Sequence, residues 1–347
     1  MEMTDNQLKL MQLRNYQAMP LSAKVRRTEH LIREWYEEND GNIYLARSFG
    51  KDSDVVGDIL YKMYPEVPHV FANTGNELDT VRQHAYRETL SGKNIIIVTP
   101  KMTFDEVVVK YGYPVVSKEQ SGFIHEVRQI LKKDGSKKLL NTRLNGNKWN
   151  RGKISERWKK FIDAPFDVTH KCCKILKIDP TSQYRKATGA ATMTAVMADE
   201  SQLRQQTFIR FGCNAFGLKD PTSRPIIFWT EQDVLQYIVD NELPIAGAYG
   251  DIVNRGGKLK CSGEQRTGCK FCLFGIHMQE GENRIQKLSH KEPESYRHAI
   301  EDLGYDKVMD FYGVPWKPYV QPDIQQDLFD PQYEVDVETL EKEVNGK

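Results

Sequence analysis

The feature that most constrains the fold is an alternation of short apolar runs with stretches of helical periodicity. Three runs, at residues 43–46, 69–72 and 95–98, are four residues long and largely aliphatic or aromatic. Between the first two, apolar residues recur every three or four positions, as they do on one face of a helix. A second helix is predicted at about residues 78–90. Because this alternation is typical of βαβ units, we predict an α/β fold with a Rossmann-like parallel sheet of about five strands flanked by helices.

Two later apolar runs, at residues 193–197 and 225–228, predict a fourth and a fifth strand. Thr230 follows the second run, and its hydroxyl is a preferred cap for the helix that we expect to begin there. Residues 101–190 show no clear strand, so we predict helices there, interrupted by a basic insertion. The Gly- and Lys-rich stretch 247–268 is interpreted as a loop.

Composition excludes several classes of protein. The chain has 347 residues, of which 39 % are hydrophobic and 28 % charged, so collagen-like, coiled-coil and wholly disordered structures do not fit. It contains no apolar run of about 18 residues, and its first residues lack the pattern of a signal peptide. We therefore expect a cytoplasmic protein without a membrane partner.

The pattern divides the chain into four parts. We predict an N-terminal helical segment (1–40), an α/β domain (41–245) with a basic insertion (131–160), a cysteine-rich region with helices (246–320) and an acidic tail (321–347).

The net charge of +1 conceals a strong asymmetry between two of these parts. The insertion holds 11 Lys or Arg against two acids, whereas the tail holds eight acids against two Lys. Trp149 and Trp158 lie among the basic residues of the insertion. This composition is typical of a surface that contacts nucleic acid through phosphates and stacked bases, and equally of a solvated surface loop.

The hexapeptide SFGKDS, residues 48–53, lies between the first predicted strand and a predicted helix. Such a turn directs backbone N–H groups and a helix N-terminus at one point, which suits a pyrophosphate or sulfate group. Gly50 permits close approach of the backbone, the hydroxyls of Ser48 and Ser53 can donate hydrogen bonds, and Lys51, interpreted as an exposed loop residue, can balance phosphate charge. An ordinary helix cap would use the same residue types.

The hexapeptide resembles the PP-loop ATP pyrophosphatase superfamily, specifically its phosphoadenosine phosphosulfate (PAPS) reductase-like branch, whose first strand is followed by Ser-x-Gly-x-Asp-Ser. Three further blocks occur in the same order, at residues 71–77 (FANTGNE), 198–204 (ADESQLR) and 229–234 (WTEQDV). The resemblance thus spans about residues 40–300. Asn73 stands where the family usually has Asp, and Met197 replaces its usual Arg. The third block is interpreted as a capping box with a core tryptophan.

The resemblance implies an adenine-nucleotide site, with Mg²⁺ and catalysis at the hexapeptide. The implied catalytic residues are Lys51, Asp52 and Ser53. The implied nucleotide-binding residues are Ser48, Phe49, Gly50, Lys51, Asp52, Ser53, Asn73, Thr74, Gly75, Asp199, Glu200, Ser201 and Arg204.

The cysteines are few for a disulfide framework and cluster as metal ligands do. Cys172 and Cys173 are adjacent, and Cys269 and Cys272 form a Cys-x-x-Cys pair. This arrangement is similar to that of family members that bind a [4Fe-4S] cluster, and four such thiolates would also accept a structural Zn²⁺.

The other two cysteines, Cys261 and Cys213, have different expected roles. Because vicinal cysteines are strained ligands, Cys261 with Cys173, Cys269 and Cys272 is a rival set of four thiolates. Cys213 is expected to be a small buried residue.

The resemblance allows two chemistries. A sulfonucleotide reductase of this family uses a nucleophilic thiol near its carboxy terminus, after the cluster cysteines, and this chain has no cysteine after Cys272. Residues 51–53 resemble those of enzymes that cleave ATP between the α and β phosphates. We therefore predict an ATP pyrophosphatase that adenylates an acceptor before sulfur transfer, such as DNA phosphorothioation or tRNA thiolation, with a sulfur-donor protein as a further partner. PAPS reduction to sulfite and a non-catalytic nucleotide-sensing module are the alternatives.

Overall fold

The computed structural model describes residues 3–133 and 135–319, together with Val337, Glu341, Lys342 and Val344. The predicted acidic tail therefore lies almost entirely outside the described residues. Within the described part of the chain, no helix combines the length and the apolar character that crossing a membrane would require.

The described α-helices follow the expected pattern, beginning with two in the N-terminal segment. They are α1 (Asp5–Gln17), α2 (Leu21–Glu38), α3 (Lys51–Met63), α4 (Asp79–Leu90), α5 (Phe104–Tyr111), α6 (Lys118–Lys133), α7 (Lys137–Asn145), α8 (Asp179–Thr188), α9 (Gln202–Phe211), α10 (Glu231–Asp240), α11 (Arg284–Lys291), α12 (Pro293–Arg297) and α13 (Tyr305–Tyr312). Longer 3₁₀ and π turns occupy Glu156–Ile162, Lys174–Ile178 and His298–Asp302.

The strands are short, as the four-residue apolar runs predict. They are β1 (Ile43–Ala46), β2 (His69–Ala72), β3 (Ile95–Val98), β4 (Val115–Val116), β5 (Ala191–Thr194), β6 (Asn214–Ala215), β7 (Thr222–Ser223), β8 (Ile252–Arg255), β9 (Lys258–Cys261) and β10 (Leu273–Phe274).

Six strands form the central sheet in the order β3-β2-β1-β5-β7-β6. All neighbours are parallel except β6, which runs antiparallel to β7 at the edge. The sheet is thus mixed and has one strand more than predicted, although β1, β2 and β3 have the predicted bounds. The chain leaves β1 towards β2 and β3 on one side and returns to pair β5 on the other, so the strand order reverses between β1 and β5.

The predicted fifth strand, residues 225–228, is wrong. These residues form turns, in which Ile227 N–H donates to Arg224 O at 3.1 Å and Trp229 N–H to Ile226 O at 2.9 Å. Their side chains are fully buried, and an apolar run has the same appearance in a buried turn and in a buried strand. The place in the sheet is taken by the polar pair Thr222–Ser223.

Two regions contain strands that the sequence did not predict. Within residues 101–190, β4 pairs in parallel with the distant β10. Within residues 247–268, β8 and β9 form an antiparallel hairpin. Its two-residue turn is Gly256-Gly257, both with positive φ (61° and 79°), a conformation that glycine adopts without strain.

The apolar side chains form two main cores. One lies between the sheet and helices α1, α2, α3 and α10. The other joins α5, α6, α11 and α13 and includes Cys172 and Leu273. Trp229 belongs to the first core as predicted, and its indole N–H donates to Thr28 Oγ1 at 3.0 Å. Thr230 caps α10 in a capping box with Asp233, also as predicted.

Candidate functional site

A cavity of about 280 Å³ opens at the carboxyl ends of β1 and β5, where the strand order reverses. Open α/β sheets bind ligands at this topological position, because the loops after the two strands diverge there. The lining residues come from the β1–α3 turn, the segment after β5 and the stretch after the hairpin. They are Ala46, Ser48, Gly50, Lys51, Asp52, Ser53, Thr194, Ala195, Val196, Glu200, Arg204, Tyr249, Arg266 and Thr267.

The turn between β1 and α3 directs a helix N-terminus into this cavity. Gly50 is the N-cap residue of α3 and has no side chain of its own to cap the helix, although the Lys51 N–H donates to Tyr249 Oη. Ser48 Oγ and Ser53 Oγ lie 3.2 Å apart, and Ser53 Oγ donates to Gly50 O at 2.8 Å. A helix N-terminus attracts anions because its first N–H groups and its dipole are both positive.

Phe49 is the one residue of the hexapeptide that faces away from the cavity. It is fully buried, has a φ of 55° and packs edge-on against Phe71 at 5.2 Å between ring centroids. The Arg47 guanidinium lies 4.2 Å from the Phe49 ring centroid. The side chain of Phe49 therefore anchors the turn in the core and does not line the cavity.

Hydroxyl groups surround Gly50 closely. A Cβ at this position would lie 3.1 Å from Tyr249 Oη, 3.4 Å from Thr267 Oγ1 and 3.5 Å from Ser48 Oγ. Tyr249 Oη also accepts from Lys51 N–H at 3.1 Å and lies 2.9 Å from Thr267 Oγ1. The absence of a side chain at Gly50 therefore keeps the floor of the cavity open.

Lys51 is buried, contrary to the sequence-based expectation of an exposed loop lysine. Its Nζ donates to Gln265 O at 2.9 Å and lies 3.2 Å from Glu231 Oε1 and 3.7 Å from Asp52 Oδ1. Burial alone lowers the pKa of Lys51, but the charges of Asp52, Tyr249 and Glu231 outweigh burial and raise it. The ammonium group is therefore charged beside the cavity at neutral pH.

One carboxylate oxygen of Asp52, Oδ1, is buried and accepts no hydrogen bond from the described residues, although it lies 3.7 Å from Lys51 Nζ. Burial raises the pKa of Asp52, and nearby Lys51 opposes that rise. Mg²⁺ is usually held by one or two carboxylates together with substrate phosphates, so Asp52 is the residue of this turn best placed to bind it.

Two arginines face the turn across the cavity. Glu200 forms ion pairs with Arg204 and, at 3.4 Å, with Arg266. Together with Lys51, these guanidinium groups place three cations around the cavity against the carboxylates of Asp52 and Glu200. This charge balance suits a polyphosphate, and arginine binds phosphate in a bidentate manner.

A buried ionic cluster supports the turn from below. Arg47 donates to Asp54 Oδ1 at 2.9 and 3.1 Å and to Glu88 Oε2 at 2.9 Å, and its Nη1 lies 3.3 Å from His69 Nδ1. Burial and the positive charges of Arg47 and Lys93 lower the pKa of His69 to about 3. His69 is therefore neutral, and the cluster fixes the residue that precedes Ser48.

The other residues implied as nucleotide-binding do not line this cavity. Asn73 Nδ2 donates to Tyr86 Oη at 2.8 Å, and Thr74 Oγ1 donates to Glu77 at 2.8 Å. Thr74 and Gly75 border a separate cavity of about 420 Å³.

Two residues of the 198–204 block also have local structural roles. Asp199 Oδ2 accepts from Glu231 N–H at 3.3 Å, and Ser201 Oγ caps α9 by accepting from Arg204 N–H at 3.3 Å. Only Glu200 and Arg204 of this block reach the cavity.

Sequence reasoning missed Tyr249, Arg266 and Thr267, because they lie in the stretch that was interpreted as a loop. The glycines of this stretch are its one local signal, because glycine is frequent where a ligand or another backbone approaches closely.

The four predicted metal ligands lie together in a different cavity. Cys172, Cys173, Cys269 and Cys272 line it with Lys177, and the Sγ atoms of the adjacent pair are 4.0 Å apart. A hydrogen bond from Cys172 and the charges of Lys118 and Lys177 outweigh burial and lower the pKa of Cys173 to about 6. Burial chiefly raises the pKa of Cys272 to about 11.

The described residues contain no group of three Cys, His, Asp or Glu side chains arranged to hold one metal ion, so a metal-binding region is not shown. A Zn²⁺ ion needs four donors around a single point. In a cluster each thiolate binds a different iron, so four thiols around one cavity are the donor set that a cluster requires.

The two remaining cysteines lie elsewhere. Cys261 is buried against Phe49 and Tyr249 beneath the β1–α3 turn, so the structure places it outside the four-thiol cavity. Burial raises the pKa of Cys261. Cys213 is a small buried residue, as predicted.

Comparison with known proteins gives matches of three kinds. A family profile described as phosphoadenosine phosphosulfate reductase domain matches residues 42–153 and 140–264. An adenosine 5'-phosphosulfate reductase of Lysinibacillus sphaericus (strain C3-41) is 23 % identical over 246 residues, which are 70 % of this chain and 78 % of that protein. The crystal structure of a PAPS reductase from Candida auris, in complex with phosphate, aligns with a TM-score of 0.38 and 16 % identity over 67 % of this chain and 89 % of that one.

Proposed function

Because the chain belongs to the phosphoadenosine phosphosulfate reductase domain family, whose members are enzymes, we propose that it is an ATP pyrophosphatase that adenylates an acceptor. ATP binds in the cavity at residues 48–53. An oxygen of the acceptor attacks the α-phosphorus, the bond to the β-phosphate breaks, and pyrophosphate leaves. AMP remains on the acceptor and is displaced in a later sulfur transfer, with sulfur from a separate donor protein.

The observation that carries this proposal is the position of the cavity at the N-terminus of α3. Ser48 and Ser53 present hydroxyls there, and Lys51, Arg204 and Arg266 present positive charges. Preorganised donors that face the developing charge of a leaving group lower the barrier, because they need no reorganisation during the reaction. Backbone N–H groups and Lys51 would stabilise the leaving pyrophosphate.

Asp52 Oδ1, which accepts no hydrogen bond from the described residues, is the oxygen that would bind Mg²⁺ at this site. Bound Mg²⁺ would neutralise phosphate charge and orient the leaving group. Glu200 contributes less to such a site because Arg204 and Arg266 already engage both of its oxygens. Its role is to position the two guanidinium groups.

The cysteines support adenylation over reduction. Outside the four-thiol cavity this sequence has two cysteines, Cys213 and Cys261, and both are buried. Cys261 is the thiol adjacent to the turn, but it is buried and its raised pKa disfavours the thiolate that would attack sulfur. Burial also raises the pKa of Cys213 to about 11.

We propose that Cys172, Cys173, Cys269 and Cys272, which share one cavity, hold a [4Fe-4S] cluster. A structural Zn²⁺ is the less favoured alternative, because no three of the described side chains are arranged to hold a single ion. A cluster there would supply a soft, positively polarised centre near the acceptor or hold the acceptor site folded. Iron and acid-labile sulfide analysis of anaerobically purified protein tests this assignment. About four of each per chain are expected for one cluster, whereas one zinc per chain and no sulfide would contradict it.

Sulfonucleotide reduction is the second candidate, favoured by the name of the Lysinibacillus sphaericus relative. One experiment separates the two: the protein is incubated with ATP and Mg²⁺, and in parallel with PAPS and a thioredoxin system. Pyrophosphate and AMP are expected from the first mixture and no sulfite from the second. Sulfite release that disappears in Cys261→Ser would establish the reductase instead.

The same assay tests the location of the site. Ser48→Ala/Ser53→Ala should lose most pyrophosphate release, because both hydroxyls border the cavity. Ser91→Ala, which removes an exposed hydroxyl at the end of α4, is the matched control and should leave turnover unchanged. Equal turnover in both variants would contradict the assignment of this cavity.

A further inference from the structure

The basic insertion carries more positive charge than its surroundings neutralise. Two of its cations are engaged, because Arg143 pairs with Glu126 and Lys159 with Glu156. Eight others are exposed and have no ion pair with a described residue. They are Lys132, Lys133, Lys137, Lys138, Lys148, Arg151, Arg157 and Lys160. An array of such cations on one segment is the electrostatic footprint of a polyanion-binding surface.

Trp149 is held in solvent by an ordered loop within this segment. Its exposed fraction is 70 %, whereas Trp35 and Trp229 are fully buried. Asn147 Oδ1 accepts from Trp149 N–H at 2.9 Å and from Arg151 N–H at 3.0 Å, and Asn147 N–H donates to Arg151 O at 2.9 Å. The loop therefore presents a large aromatic ring with a defined backbone.

The loop is also tied to the core. Arg143 Nη1 donates to Gly152 O at 2.9 Å, and Ile154, which is fully buried, donates its N–H to Arg143 O at 2.8 Å. Helix α7, by contrast, has no buried residue. Core packing therefore explains why this loop is fixed to the protein. It does not explain the exposed basic and aromatic side chains of α7 and the loop.

We propose that this surface, α7 and residues 146–153, binds single-stranded nucleic acid, and that such a strand is the acceptor class of the proposed adenylation, on which this inference rests. Phosphates contact the exposed lysines, and a base stacks on Trp149, as on other surfaces that bind single strands. A membrane fits less well, because the loop that carries Trp149 also carries Asn147 and Asn150, whose amide groups would resist insertion.

Helix α6 joins this surface to the segment that precedes the thiols. In its first turn, Gln120 Nε2 donates to Lys153 O at 3.2 Å. A Cβ at Gly122, two residues further on, would lie 3.6 Å from His170 Cγ, and His170 is two residues before Cys172. The end of the surface at residue 153 therefore lies near the segment that carries Cys172 and Cys173.

The test uses fluorescence anisotropy of a labelled single-stranded oligonucleotide of about twelve nucleotides with the full chain, without ATP. Trp149→Ala should weaken binding at least about fivefold, because stacking on an aromatic ring contributes that much or more per base. Lys137→Gln/Lys138→Gln should reduce the slope of log Kd against log salt concentration by about 1.4, or about 0.7 per phosphate contact.

Matched controls remove charge and aromatic area elsewhere. Lys186→Gln/Lys219→Gln changes two exposed lysines outside the surface, and Tyr319→Ala removes a ring whose exposed fraction is 49 %. Both should bind the oligonucleotide as the wild type does. Oligonucleotide binding should also quench tryptophan fluorescence in the wild type and not in Trp149→Phe.

Three results would overturn this inference: no salt-dependent binding, equal binding by Trp149→Ala and the wild type, or tighter binding of polyglutamate, which would indicate an acidic protein partner. Because the assay omits ATP, it is independent of turnover. Ser48→Ala/Ser53→Ala should bind the oligonucleotide normally, so loss of turnover in that variant with intact strand binding separates the two proposals.

Discussion

Replacing Lys51 by Met removes a buried charge while keeping the length of the side chain. In the native protein, Lys51 Nζ contacts Gln265 O at 2.9 Å, Glu231 Oε1 at 3.2 Å and Asp52 Oδ1 at 3.7 Å. The exposed fraction of the Lys51 side chain is 3 %, against 26 % for Asp52 and 41 % for Glu231. The substitution leaves the Gln265 carbonyl and the Asp52 carboxylate without their cationic partner.

The size of the effect follows from this partial burial. Breaking a fully buried ion pair costs about 3–5 kcal/mol, whereas an exposed pair contributes about 0–1 kcal/mol. Since the cation is buried and its partners are partly exposed, we expect an intermediate loss of about 2 kcal/mol. For a chain of 347 residues, with an unfolding entropy of about 2.1 cal/mol/K per residue, this lowers Tm by about 3 °C.

The assay is thermal unfolding followed by circular dichroism, with Lys62→Met as the matched control. Lys62 lies on the same helix and pairs with Asp58, but its exposed fraction is 54 %, so its loss should cost less than about 1 kcal/mol. Equal Tm values for the two variants, or a Tm for Lys51→Met within about 1 °C of the wild type, would refute the argument from burial.

The dependence on pH gives a second check. Because the carboxylates raise the folded pKa of Lys51 above its ordinary value of 10.5, the stabilisation is complete at neutral pH and is lost as pH rises through that folded pKa. In the variant, the pKa of Asp52, already raised by burial, should rise further. The deficit of the variant should therefore shrink as acid protonates Asp52, and Lys51→Met/Asp52→Asn should recover part of it at neutral pH.

Two further outcomes are expected. Gly50→Ala should weaken ATP binding by about tenfold, because its Cβ would lie 3.1 Å from Tyr249 Oη and narrow the cavity. Isothermal titration calorimetry measures this affinity, and an unchanged value would place ATP elsewhere. His69→Asn should flatten the acid limb of the stability curve, measured by urea unfolding. The folded pKa of His69 is lowered to about 3, so the unfolded state binds the proton first and stability falls as pH drops from about 6.5; an unchanged acid limb would contradict this.

The parts of the fold predicted correctly are those where local pattern and tertiary environment agree. Strands β1, β2 and β3 are short, apolar and flanked by turn residues, so periodicity locates them without further information. Thr230 is a local cap whose hydrogen bonds lie within one turn of helix. The wrong strand at residues 225–228 was locally indistinguishable from a strand and differed only in its surroundings.

The candidate site likewise contains residues that a local pattern predicts and residues that only the tertiary structure reveals. The sequence predicted the turn at residues 48–53, because a Gly-containing turn between a strand and a helix is a local signal. It also paired Cys172 and Cys173 with the distant Cys269 and Cys272 through a spacing resemblance, and these four thiols do border one cavity. The residues that complete the nucleotide cavity, Tyr249, Arg266 and Thr267, carry no local pattern.

The sequence by itself determined strands β1, β2 and β3, the first helices and the turn that faces the cavity, because hydrophobic periodicity and turn chemistry act over a few neighbouring residues. Only the tertiary structure decided that Lys51 is buried and that Phe49 anchors the turn from behind. It also decided that the stretch after the β8–β9 hairpin closes the cavity. Burial and ion pairing depend on residues such as Glu231 and Gln265, which lie about two hundred positions from the turn along the chain and meet it only when the sheet brings the carboxyl ends of its strands together.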